Sequence, residues 1–187
     1  FSVERIIALD NATPETTAYF GQPAFDHWTR RVMTCGDLGR VRNALVPEVA
    51  GEAIAFLDAD DLFSANWLSN GMARLRAEEA RGRSVIVHPE LNWLFDGAHS
   101  VFWKPDQDDP LFLPEYFYFM NYYDSLCLVP RAAHLEVPYV IRVIPRGLSF
   151  QDWQFSIETM AAGWVHVSAP DTVIFKRRRD ESLVTES

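Results

Sequence analysis

The stretch AIAFLDADDL, residues 53–62, decides how the chain is read. Residues 52–57 are short and mostly apolar, the mark of a strand buried on both faces. The strand empties into Asp58, Asp60 and Asp61. In open α/β sheets ligands gather beyond the carboxyl ends of strands, so this acidic turn is a candidate site. Neighbouring acids repel one another and stay ionised most easily beside a cation. Hard oxygen ligands suit Mg²⁺ or Mn²⁺, and an ion that also holds a diphosphate needs few of them from the protein. The alternative is an acidic turn capping a helix that begins near Ser64. An EF-hand loop is excluded, because the sixth and twelfth places from Asp58 hold Phe63 and Ser69 instead of Gly and Glu.

Outward from that stretch, helices and strands alternate. Residues 2–9 read as a strand, and Thr13 before Pro14 predicts a helix start. A second strand is expected at 31–35, a turn at 36–39, and a helix at 40–50 with Pro47 as an irregularity. Ser64 is expected to cap the next helix, in which Leu68, Met72 and Leu75 share a face. Further strands are expected at 84–88, 125–129 and 164–167, and a helix at 150–162. This alternation predicts an α/β fold with parallel strands in one domain over residues 1–187. Residues 91–123 are dense in aromatics. They read as core and lid packing, or Trp93, Trp103, Tyr116 and Tyr122 form a platform for sugar rings. The five histidines show no ligand spacing.

Composition narrows the function. Hydrophobic residues make up 48% and charged residues 23%, which excludes disorder. The net charge is −9, so nucleic acid is not an expected partner. Cys35 and Cys127 are too few for a disulfide framework. They point to a reducing compartment, the cytoplasm or the cytoplasmic face of a membrane. No apolar run approaches the length of a membrane span.

A second signal is SFQDWQF, residues 149–155, in which Asp152 sits at a helix start. Asp152 is either a cap or a partner of the acids at 58–61. Taken together, these features resemble the family 2 glycosyltransferases of the GT-A fold, a mixed sheet flanked by helices. Residues 6–13 resemble the strand whose terminal acid contacts the nucleotide base. CGDLGRVRN, residues 35–43, is similar to the family's segment beside the nucleotide, and 51–68 to the segment around its Asp-x-Asp motif. Residues 150–163 resemble the helix carrying the catalytic base, with Gln151 where the family has Glu, and 175–182 resemble a terminal basic segment near the diphosphate. The family's first strand and first loop normally precede Phe1, so the chain reads as a fragment.

The resemblance implies metal-assisted, inverting transfer from a nucleotide-sugar donor, a UDP-sugar above all, to a glycan or lipid-linked acceptor in surface polysaccharide synthesis. Asp60, with Asp58 and Asp61, would hold Mg²⁺ or Mn²⁺. Asp10, Arg42, Asn43 and Asp58 would bind the nucleotide, Arg177, Arg178 and Arg179 the diphosphate, and Asp152 would be the base. Two other readings stay open. An Asp-x-Asp phosphatase would use Asp58 as nucleophile, although it expects Thr or Val at the place of Leu62. A catalytically degenerate domain would bind carbohydrate without nucleotide.

Overall fold

The computed structural model describes residues 1–143 and 150–178. β1 (Ile6–Asp10) and β2 (Thr29–Met33) form a parallel two-stranded sheet joined through α1 (Pro14–Phe20). Thr13 caps α1, its hydroxyl accepting from the Thr16 N–H at 3.2 Å, with Pro14 in the first turn, as its sequence predicts. α2 (Leu38–Leu45) follows. It starts earlier than expected because Asp37 caps it, accepting from Arg40 N at 3.0 Å.

A six-stranded sheet makes the body. Its strands are β3 (Ala53–Ala55), β4 (Leu62–Phe63), β5 (Val85–Asp96), β6 (Ser100–Trp103), β7 (Leu128–Pro130) and β8 (Val165–Arg178). The order is β3-β7-β5-β8-β4, with β6 also on β5. The six-stranded sheet is therefore mixed, and among the described residues only the β1–β2 and β5–β8 pairs are parallel. The expected parallel alternation fails at β3–β7, β4–β8 and β5–β7, which are antiparallel, and at β5–β6, where Asp96-Gly97 turns the chain back as a hairpin with Asp96 at φ 67°.

Helices cover both faces of β5. α3 (Trp67–Glu79) sets Trp67 and Leu75 against Val85, Val87, Leu128, Val167 and Ala169, with Leu68 and Met72 packed beside them. The expected shared face of α3 is thus real. On the other side α4 (Arg131–Glu136) and α5 (Gln151–Ala161) enclose Ile86, Cys127, Val129, Tyr139 and Phe155. Ser64 does not cap α3. Its backbone N–H and hydroxyl oxygen join it to Val173 of β8, at 2.9 and 3.0 Å.

A buried polar chain crosses the core. The Thr159 hydroxyl donates to the Phe155 carbonyl at 2.6 Å, so it accepts from His166 Nε2 at 2.9 Å. His166 Nδ1 then accepts from His88 Nε2 at 2.8 Å, and Tyr123 stacks on both rings. His134 is buried with neither ring nitrogen bonded and lies against Phe155. Burial pushes His134 and His166 down to about 3, and burial with the neighbouring His166 and Lys104 holds His88 well below its ordinary range.

A histidine whose proton affinity is depressed by folding contributes fully above its unfolded value near 6.5, and its contribution is lost as pH falls below that. Each of the three costs about 2 kcal/mol by pH 5. Tm should drop by roughly 10 °C or more between pH 7.5 and 5. A Tm that stays level over this range, measured by circular dichroism, would contradict the buried neutral histidines.

Candidate functional site

β3 delivers the chain through Phe56 to the acidic turn, closed by the Asp61 N–H on the Asp58 carbonyl at 3.1 Å. Asp58 does not stand open. Arg42, buried on α2, donates to its Oδ1 at 3.0 Å. The guanidinium lies over the Phe56 and Tyr139 rings, 5.2 Å from each centroid, which fixes its plane. Asp61 is buried and accepts from the Arg177 N–H at 2.9 Å, tying the turn to β8. Burial pushes its carboxyl up to about 6, helped by Asp58 and Asp60 and opposed by that N–H and by Lys176.

Asn43 is tied to the backbone of a distant segment. Its amide donates to the Tyr139 carbonyl at 2.7 Å and accepts from the Tyr139 N–H at 2.9 Å, which holds the Tyr139 ring on Arg42. Asp10, at the end of β1, accepts from Cys35 N at 2.6 Å and Gly36 N at 2.9 Å. It thereby shapes a cleft of about 290 Å³ lined by Cys35, Gly36, Asp37, Arg40, Ile141 and Arg142.

Asp152 occupies the first turn of α5 and accepts from the Trp153 N–H at 2.9 Å. Burial raises its pKa, Asp124 adds to the rise, and Lys176 and Arg42 oppose it. Lys176 faces the other way electrically. Burial works against its ammonium, yet the Asp124, Asp61, Asp58 and Asp152 carboxylates outweigh burial and raise its pKa. The acidic turn, Arg42, Asp152 and Lys176 thus form one electrostatic cluster. Among the expected arginines, Arg177 is drawn away to Asp96 at 2.8 Å, Arg178 lies at the exposed end of β8, and Arg179 is outside the described residues.

Among the described residues no three His, Cys, Asp or Glu side chains converge to hold a metal by themselves. An acidic turn of this kind suits an ion bound chiefly by a ligand's phosphates, with few ligands from the protein. The aromatic segment divides. Tyr116 and Tyr122 pack together at 4.5 Å among Phe112 and Phe117, whereas Trp93 and Trp103 are exposed on the β5–β6 hairpin.

Sequence reading missed Asp37, Asp124 and Lys176. Asp37 carried a signal as a cap ahead of an apolar helix face. Asp124 stands at the mouth of an apolar strand, and Lys176 sits in step with the buried Ile174. No local pattern shows that these last two meet.

Asp37 also explains Gln151. The Gln151 amide donates to Asp37 at 3.1 Å and to the Val140 carbonyl. Burial would raise the Asp37 carboxyl, but bonds from Arg40, Gln151 and Arg142 hold it below its ordinary value. A glutamate at 151 would face two acceptors. Gln151→Glu should cost about 2 kcal/mol at pH 7.5. The loss should shrink as the pH falls through the new carboxyl's range; urea denaturation at pH 7.5 and 5 would show both.

Comparisons with known proteins agree with this fold. The family model described as glycosyl transferase family 2 matches residues 2–118. No curated protein matches the sequence. The fold is similar to S. aureus TarS 1-349 in complex with UDP-GlcNAc, with a TM-score of 0.67 and 16% identity over 98% of this chain and 52% of that one. It is also similar to GalNAc-T7 with UDP, GalNAc and Mn²⁺, with a TM-score of 0.66 and 13% identity over 94% of this chain and 38% of that one. The chain therefore spans about half the length of the TarS chain. At such identities the likeness is one of fold, the GT-A arrangement. The sequence match covers β1 through β6 with the acidic turn between them, and by it the chain belongs to glycosyl transferase family 2.

Proposed function

We propose that this chain carries the donor site and base of a nucleotide-sugar glycosyltransferase, acting on a hydroxyl of a glycan or lipid-linked acceptor in surface polysaccharide synthesis. The observation that carries the reading is the convergence of Asp58–Asp61, Arg42, Asp152 and Lys176 from four separate parts of the chain. UDP and UDP-GlcNAc bound to TarS, and UDP with Mn²⁺ on GalNAc-T7, support a UDP-sugar donor and a divalent cation.

The nucleoside would enter the cleft that Asp10 shapes beside Arg40 and Arg142. Asp60 is the carboxylate of the turn proposed to hold Mg²⁺ or Mn²⁺, with Asp58 and Asp61 fixing the turn's shape. When bound, such an ion offsets charge on the departing diphosphate. Asp152 would take the proton of the acceptor hydroxyl as its oxygen bonds to the anomeric carbon. The bond from that carbon to the diphosphate oxygen breaks, and the configuration inverts. Raised proton affinity suits Asp152 to that task. The phosphatase reading needs Asp58 as a free nucleophile, and its pairing with buried Arg42 argues against it.

Thermal unfolding against UDP, GDP, CDP and dTDP, with Mn²⁺ or EDTA, tests the donor site. One nucleotide, at about a hundred times its Kd, should raise Tm by roughly 5–10 °C. Asp60→Ala should abolish the part of the shift that needs Mn²⁺. Asp152→Asn should leave nucleotide binding intact and lower transfer at least about a hundredfold. Glycan binding with no nucleotide effect would favour the degenerate carbohydrate-binding domain instead.

A further inference from the structure

β8 sorts its basic residues onto opposite faces. Side chains alternate along a strand, so Phe175 and Arg177 share one face and Ile174 and Lys176 the other. The first face looks outward. Phe175 lies against Trp93, with ring centroids 6.0 Å apart, and Arg177 lies over Phe95 at 5.3 Å while bonded to Asp96. The second face is the buried one, where Ile174 is fully enclosed. Lys176 therefore points into the molecule, with its Nζ 3.5 Å from Asp124 Oδ2.

Asp124 is anchored with unusual completeness. Its Oδ1 accepts from Lys104 Nζ and from the Leu126 N–H, each at 3.1 Å, and Oδ2 accepts from the Asn92 amide. Lys104 is only 1% exposed, so this carboxylate has a fixed counter-charge of its own and does not depend on Lys176 for neutrality. Lys176, more open than Lys104, retains donors beyond the one directed at Asp124. The next residue, Arg177, has its N–H on Asp61 at 2.9 Å, which sets this part of β8 against the acidic turn, and the Asp61, Asp58 and Asp152 carboxylates act on the Lys176 ammonium. Arg42 is committed to Asp58.

An anionic diphosphate approaching Asp58, Asp60, Asp61 and Asp152 is repelled unless a cation answers it. Lys176, one residue from the Arg177 N–H that holds Asp61, is a cation placed to answer it. We propose that Lys176 binds the diphosphate of the donor and that Asp124 is a positioning residue that holds Lys176 for it. The proposal rests on the donor reading above.

The test compares UDP and uridine as probes, measured by isothermal titration and ligand-observed NMR in Mn²⁺. Lys176→Met should weaken UDP about tenfold and leave uridine unchanged. Lys176→Arg should restore most of the loss. Asp124→Asn should also weaken UDP selectively, and adding Lys176→Met to it should cost less than in the wild type, because the two act through one contact. Should Asp124→Asn fail to fold, the Met and Arg variants at 176 still decide. Equal weakening of UDP and uridine would reduce Lys176 to a structural role and overturn the proposal, as would unchanged UDP binding. A wild-type protein that binds neither probe would overturn the donor reading itself, and this inference with it.

Discussion

The parallel pairing of β5 with β8 is the constraint on which the structure rests. It runs from Val85 opposite Val165 to Asp96 opposite Arg178, and both strands are longer than a typical one. Its first half is sealed on both faces, by α3 on one side and α4 and α5 on the other. Its second half leaves the helices behind and carries β4 and β6 on its two edges. The chemistry follows from that division. The sealed half supplies rigidity, and the extended half brings the Arg177 backbone to Asp61 and Lys176 to the acids.

Buried charge sets the remaining terms. Lys104 with Asp124 is an ion pair largely withdrawn from water, and in the pair of Arg42 with Asp58 the arginine is buried and the aspartate half-buried. Such pairs add little net stability over apolar packing, but losing one partner strands the other at a cost of several kcal/mol. Each pair here is also fixed by groups that no apolar substitute could replace. Two aromatic rings define the plane of Arg42, and Asn92 and a backbone N–H complete the bonding of Asp124. These pairs fix where charge sits in the site, which a packed apolar core would not do.

Much of this was legible in the sequence, for local reasons. Thr13-Pro14 marks its helix, the α3 stripe faces the core, and the acidic turn follows a strand, although β3 is half-buried at the end of the sheet order and not sealed on both faces. The errors are just as physical. The strands expected at 84–88 and 164–167 run on through Pro89 and Pro170-Asp171, which lie at a register shift inside β5 and β8, with Asp171 at φ 61°. A bulge lets a strand carry turn residues without ending. The full length of β8 was hidden for that reason, and with it the place of Lys176. Asn43 is read beside the nucleotide from its segment alone, and no local pattern shows that its amide bonds the backbone of Tyr139, far along the chain. Asp124 and Lys104 are brought together only by tertiary structure.

The separation of β1 and β2 from the larger sheet has a consequence for how the molecule breathes. Opening this small unit breaks no ladder hydrogen bond of the six-stranded sheet. The cleft at Cys35 and Gly36 is shaped by Asp10 from this unit, while Ile141 and Arg142 line it from elsewhere. One wall therefore belongs to a piece with its own cooperativity, free to fluctuate at a lower free energy than global unfolding. Amide exchange at the mouth of the cleft would then be governed by this subunit of structure rather than by the core.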